Sequence, residues 1–226
     1  MNFSANYIFD FFLPRFCPGC NKKLLSNEEP VCEECLNSIL IADDNLIQNE
    51  FKRKFSSTNI ISGFYSKYIF EADKTLQNIV HSLKYNKQFR IGTFLGEILA
   101  EGIILKNWMI DLILPVPIHH LKKAERGYNQ SDFIVKGMSK GLKISYSART
   151  VKRIRYTETQ TNLKLQERAK NVENAFKVTN SKKIKNKNIL LVDDVITTGA
   201  TTLECAKVLM NAGAEKIYAC SVGIAE

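Results

Sequence analysis

The chain has 226 residues, with 32 Lys and Arg against 23 Asp and Glu and a formal net charge of +9. This length suits one main folding unit with a small appendage, and the positive excess favours polyanionic partners, nucleic acid or phosphorylated metabolites. No window reaches the roughly 18 consecutive apolar residues that span a bilayer, and the opening ANYIFDFFLPRF lacks a basic leader and is broken by Asp10 and Pro14, so a cytoplasmic protein is expected.

In that opening, Tyr7, Ile8, Phe11 and Phe12 suit a short amphipathic helix docked on the body. Four of the six cysteines follow at once: Cys17 and Cys20 in CPGC, then Cys32 and Cys35 in CEEC. Pairs two residues apart, joined by a short polar linker, let four thiolates converge on a tetrahedral ion, and Zn²⁺ fits best. Disulfides are the alternative, disfavoured in a reducing compartment. A site closed by four thiolates is structural: it stabilises a segment too short to build its own core. Arg15, Lys22 and Lys23, with Phe12 and Phe16, suit contact with single-stranded nucleic acid; docking of the knuckle on its own body explains the aromatics equally well. The polar stretch ADDNLIQNEFKRKFSST reads as a connection, which puts a boundary near residue 55, with the helix and knuckle in 1–55 and the main domain in 56–226.

NIISGFYSKYI is β-rich, and FEADKTLQNIVHSLKYN and FRIGTFLGEILAEGIIL show apolar residues at helical spacing. His81, inside the first of these, reads as a packing or surface residue. DLILPVP is a continuous apolar run closed by prolines, as a fully buried strand would be. A basic loop, the helical YNQSDFIVKGMSKGL, and a long cationic section follow. The chain then gives the strand NILLV, the helix TTLECAKVLMNAGA stopped by Gly213, and a last strand KIYACSVGIA. Strands alternating with helices, without strict polar alternation, indicate an α/β fold with a parallel sheet flanked by helices and a small N-terminal zinc-binding knuckle. Cys205 and Cys220 fall in helix and strand patterns as ordinary small core residues.

The sharpest signal is NILLVDDVITTGATT, residues 188–202, where an oily strand runs into Asp193 and Asp194 and then into a threonine loop around one glycine. Gly199 lets backbone amides turn inward, and Thr197, Thr198, Thr201 and Thr202 add hydroxyls at a helix start, so the loop suits a phosphate. Two carboxylates beside that loop would repel the anion unless their own ligand is a diol, a divalent cation or a developing positive charge. A 5-phosphoribose meets every condition: phosphate in the loop, hydroxyls on the acids, and a cationic C1 stabilised by their charge. The Gly-Lys-Ser/Thr ending of a P-loop and the spaced glycines of a dinucleotide fold are missing. A receiver domain keeps its Asp pair in its first strand, whereas only 32 residues (226 minus 194) follow Asp194.

ILLVDDVITTGATT resembles the phosphoribosyl-diphosphate motif of type I phosphoribosyltransferases. Within that superfamily the chain is similar to the ComF competence family, which joins this domain to an N-terminal four-cysteine zinc finger. The matching segments are CPGC with CEEC, LKY at Leu83 to Tyr85, PVPIHHLKKAERGYNQ at Pro115 to Gln130, and RIRYTETQTNLKLQERAKNVENAF at Arg153 to Phe176. The resemblance implies that Asp193 and Asp194 are catalytic, and that Val195, Thr197, Thr198, Gly199, Ala200, Thr201 and Thr202 bind substrate phosphate. It puts the diphosphate on the loop with Pro117, Arg126 and Gly127, where His119, Lys122 and Lys123 are further donors. It makes the section from Arg153 to Asn174 a hood over the reacting centre, with Gln160, Arg168 and Asn171 matching the pattern and Thr159 standing where a proline is expected. The implied chemistry is displacement at ribose C1 with Mg²⁺ bridging diphosphate and ribose oxygens. The implied partners are phosphoribosyl diphosphate, single-stranded DNA, and the competence helicase and recombination-mediator proteins of DNA uptake during natural transformation. No acceptor base is legible, and transfer to an unidentified acceptor in nucleotide or cofactor metabolism is the alternative function.

Overall fold

The computed structural model describes residues 14–25, 27–71, 74–156 and 172–225. The expected N-terminal helix, and Gln160, Arg168 and Asn171 of the expected hood, lie outside the described residues.

The chain opens with β1 (Arg15–Phe16) antiparallel to β2 (Lys23–Leu24), then α1 (Glu33–Ser38) carrying Cys35. The polar stretch expected as a connection folds instead as a helix, α2 (Asp44–Phe55). Its start is fixed by Asp43, whose carboxylate accepts the Leu46 N–H at 2.7 Å. Its inner face buries Ile47 and Phe55, and it also buries Glu50 and Lys54 as an ion pair at 2.7 Å. Charges that look solvated in sequence are therefore partly interior.

The body continues through β3 (Gly63–Ile69), α3 (Thr75–Tyr85), α4 (Phe89–Leu105) and β4 (Leu112–Pro115). The basic loop contains a short helix, α5 (His120–Arg126), before α6 (Gln130–Leu142). Two short strands, β5 (Val151–Arg153) and β6 (Phe176–Val178), pair antiparallel. Then come β7 (Asn188–Ile196), α7 (Ala200–Asn211) and β8 (Lys216–Ile224). The sheet is parallel throughout, in the order β3-β8-β7-β4. Ile189, Leu190, Leu191 and Val192 of β7 are wholly buried, and a side chain of this size contributes about 1.5–3 kcal/mol when removed from water.

Alternation along the strands assigns the helices to faces. Phe64 packs on Phe55 of α2 with ring centroids 5.6 Å apart, whereas its neighbour Tyr65 turns its hydroxyl against Gly102 of α4. Register places Tyr65 beside Cys220 and Cys220 beside Val192, so Val192 and Asp194 share the face of α4. Helix α6 joins that face, because its Ile134 carbonyl lies against Gly96 of α4. The start of α7 lies with α2 on the other face, where Gly199 abuts Phe55. The helices after the adjacent strands β4 and β7 thus leave to opposite sides, and the carboxyl ends of such strands form a ligand crevice. The result is the α/β/α architecture with a parallel sheet that the sequence indicates. No helix among the described residues is long and apolar enough to cross a membrane.

Candidate functional site

Strand β7 does not stop before the acidic pair. It continues through Ile196, with Asp193 opposite Ser221 and Val195 opposite Gly223 of β8. The pleat then sends the two carboxylates to opposite faces. Asp194 is buried, its Oδ2 2.8 Å from Lys84 Nζ of α3 and its Oδ1 accepting the Val195 N–H at 2.8 Å. Burial opposes ionisation of Asp194, but Lys84 and the Val195 amide outweigh it and hold its carboxyl below the usual range. Asp193 is half-buried; its Oδ1 accepts from Ser131 Oγ at 3.2 Å and from the Asp194 N–H at 2.9 Å. Burial and the charge of Asp194 push the Asp193 carboxyl up. Arg153, at the end of β5, bears on Asp193 with opposite charge. The pair is thus divided into a fixed, internally neutralised anion and a more accessible carboxylate.

Beyond β7, Thr197 is exposed, Val195, Thr198, Ala200 and Thr201 are half-buried, and Thr202 is buried. Gly199 caps α7 at φ 76°, and a Cβ there would lie 2.8 Å from Phe55 Cε1, so only glycine fits both the turn and the contact. This cap has no side chain of its own; Thr198 Oγ1 accepts only a long bond, 3.4 Å, from the Ala200 N–H, and a helix start so lightly capped suits an anion. The loop is fixed from behind by Lys54 of α2, whose ammonium donates to the Thr197 carbonyl and, at 2.9 Å, to the Ala225 carbonyl.

A cleft of about 430 Å³ opens where the segment after β4 meets β5; its lining includes Pro117, His120, Lys123, Asn129, Asp132 and Arg153. Asn129 caps α6, donating to the Val116 carbonyl and to Asp132 Oδ1, each at 3.1 Å. Lys123 stands 3.9 Å from Asp132. Arg126 is turned elsewhere: its guanidinium donates to Gln130 Oε1 at 3.0 Å and to Tyr85 Oη at 3.1 Å. Gly127 closes α5 at φ 84°. His119, expected as an anion donor, is a buried helix cap whose Nδ1 accepts the Leu121 N–H at 3.3 Å. Burial and the neighbouring His120 lower its pKa, so it is neutral. Of the expected site residues, Pro117 lines this cleft, Asp193 meets Ser131 at the start of α6, Asp194 faces Lys84 on the other side of the sheet, and Arg126 turns to Tyr85.

Lys84, Ser131, Arg153 and Lys54 are the residues that motif reading leaves without a role. Lys84 and Arg153 lie inside the segments LKY and RIRY that carried the family likeness, but their partners are set only by the folded sheet.

At the knuckle, the sulfurs of Cys17, Cys20, Cys32 and Cys35 all lie within 4.8 Å of one another, and Cys20 and Cys32 are 3.7 Å apart. An ion about 2.3 Å from each of four tetrahedral sulfurs separates them by about 3.8 Å, so the set fits a metal of the size of zinc. The Cys32 N–H points at Cys17 Sγ at 3.4 Å, a contact that favours a thiolate. Cys17, Cys32 and Cys35 are continuous with the main core through Leu24, Val31 and Ile39.

The phosphoribosyl transferase domain family matches residues 130–224. Competence protein F of Haemophilus influenzae is 32% identical over 208 residues, covering 89% of this chain and 86% of that protein. Competence protein ComFC of Streptococcus pneumoniae is 27% identical over 201 residues, 89% of this chain and 77% of that protein. DNA utilization protein YhgH of Escherichia coli is 31% identical over 147 residues, and there the match spans 63% of this chain and 64% of the relative. A likeness that runs through nearly the whole chain, on an α/β sheet with its acidic pair at the β7 edge, settles the kinship: the chain belongs to the competence protein F family of phosphoribosyltransferase-fold proteins.

Proposed function

We propose that this protein binds phosphoribosyl diphosphate with Mg²⁺ at the carboxyl edge of β7 and serves DNA uptake during natural transformation, in the cytoplasm, with single-stranded DNA as a partner. One observation carries the ligand: an acidic pair already half neutralised by Lys84 stands beside a helix start capped by glycine. An anion at the threonine loop then meets less repulsion from the acids, while Asp193 remains able to accept hydrogen bonds from a sugar diol. In this reading Val195 to Thr202 clasp the terminal phosphate, and Pro117, Arg126 and Gly127 flank the diphosphate, with Gln160 and Arg168 supplied by the hood. As a carboxylate, Asp193 would stabilise positive charge developing at ribose C1. Asp193 is also the oxygen donor that fits Mg²⁺, a hard cation that neutralises the leaving diphosphate. Residues 1–55 carry a structural Zn²⁺ on Cys17, Cys20, Cys32 and Cys35, and residues 56–226 the phosphoribosyl site. The DNA-uptake setting is supported by the names of the relatives, and the competence helicase and recombination mediators are the partners it suggests.

The cleft beside Arg153 favours a second reading, in which the bound donor is transferred to an acceptor lying between β4 and β5. Incubation with Mg²⁺ and phosphoribosyl diphosphate, across a panel of bases and amines, separates the two. Saturable binding without diphosphate release supports a binding protein; release that needs both an acceptor and Asp193 supports a transferase. Absence of any binding sinks both.

A further inference from the structure

The corner between α3 and α4 exposes two aromatic rings close in sequence, Tyr85 at 48% and Phe89 at 38%, whereas the knuckle exposes Phe16 alone, at 47%. These rings are held in place. Phe89 stacks on Phe133 with centroids 4.6 Å apart and planes 17° from parallel, and meets Tyr128 edge-on at 4.7 Å. Tyr85 lies 4.7 Å from the His81 ring, and the Arg126 guanidinium sits 4.9 Å from the Tyr85 centroid. Lys87, between the two rings in sequence, and Arg90, just after Phe89, are exposed.

Fixed rings interleaved with cations suit a single strand: phosphates take the charges and unpaired bases stack on ring faces, which a duplex does not offer. The cysteine knuckle is less suited. Its Lys22 is engaged with Glu34 at 3.0 Å, and Arg15 donates to the carbonyls of Leu25 and Glu28.

We propose that single-stranded DNA lies on this corner, with a base on Phe89 and phosphates on Lys87 and Arg90, rather than on the knuckle. The proposal rests on the reading that the protein handles single-stranded DNA and assigns that role a place. It is tested by fluorescence anisotropy of the full chain with a labelled oligothymidylate over a range of salt. Phe89→Ser weakens binding about five- to hundred-fold, the range for loss of one stacked base. The double variant Lys87→Glu with Arg90→Glu, on exposed positions outside the phosphoribose site, weakens it and lowers the salt slope by about 0.7 for each phosphate that is no longer neutralised. Lys23→Glu on the knuckle leaves affinity unchanged, and phosphoribosyl diphosphate binding is the same in all three. Wild-type affinity in the charge-reversal variant overturns the location even if Phe89→Ser is weakened. A wild-type protein that binds no single strand removes the location together with the DNA-handling reading beneath it.

Discussion

The acidic pair on β7 and the four cysteines of the knuckle both crowd ionisable groups of one kind, and the two are relieved by different means. Asp194 is neutralised within the chain, by Lys84 at 2.8 Å, and Ser131 steadies Asp193. The cysteine sulfurs, gathered within 4.8 Å, have the spacing of a tetrahedral ion. A site balanced by its own lysine can fold before its ligand arrives. A cluster of thiolates ties folding of its segment to a metal.

The sharpest way to break this contrast is to remove the metal. Elemental analysis is expected to find about one zinc per chain, and structural zinc sites carry roughly 10–16 kcal/mol of apparent binding energy. Chelation should therefore raise hydrogen exchange across residues 14–39 while the β7 and β8 amides stay protected; a protein without zinc, or with an unaffected knuckle, removes the distinction. Next in size is Lys84→Met, which leaves Asp194 buried and uncompensated and should cost about 3–5 kcal/mol in urea unfolding. Adding Asp194→Asn to that variant should recover most of the loss, since the cost lies in the stranded charge.

Asp193→Asn sharpens the other side of the comparison, because it should separate function from stability. Affinity for phosphoribosyl diphosphate should fall by about ten-fold or more, the loss of a charge-assisted hydrogen bond. Stability of the free protein should rise. The sign follows from the raised folded-state pKa of Asp193. Its contribution to stability is complete below the unfolded carboxylate value near about pH 4 and is lost as pH climbs through the folded value. Asp194, with its lowered pKa, contributes above about pH 4 and loses that contribution as pH falls. The gain in Tm of Asp193→Asn over wild type should thus be near zero in acid and grow toward alkaline pH; a gain that shrinks with rising pH contradicts the assignment. Gly199→Ala should cost about 1–3 kcal/mol in urea unfolding, from a left-handed φ of 76° and a Cβ facing Phe55 at 2.8 Å.

Both crowded sites announce themselves in sequence because each is local: CPGC with CEEC, and VDD followed by a glycine turn. Helix α4 is legible over its whole length for the same reason, since its apolar spacing is regular from Phe89 to Leu105. Helix α2 is not, because its buried faces include Glu50 and Lys54, whose pairing at 2.7 Å and whose grip on the Thr197 carbonyl arise only in the folded chain. Lys84 is visible as part of LKY, but nothing local links it to an aspartate 110 positions later (194 minus 84). His119 misleads in the opposite sense: a histidine in a basic loop suggests an anion donor, yet it is consumed in capping α5.

The most direct test is a crystal structure of the protein soaked with phosphoribosyl diphosphate and Mg²⁺. A ribose hydroxyl within hydrogen-bonding distance of Asp193, with the terminal phosphate on the amides from Thr198 to Thr202, is the predicted result. Density for the donor away from β7, or a threonine loop closed by its own side chains with the donor absent at saturating concentration, would contradict the account.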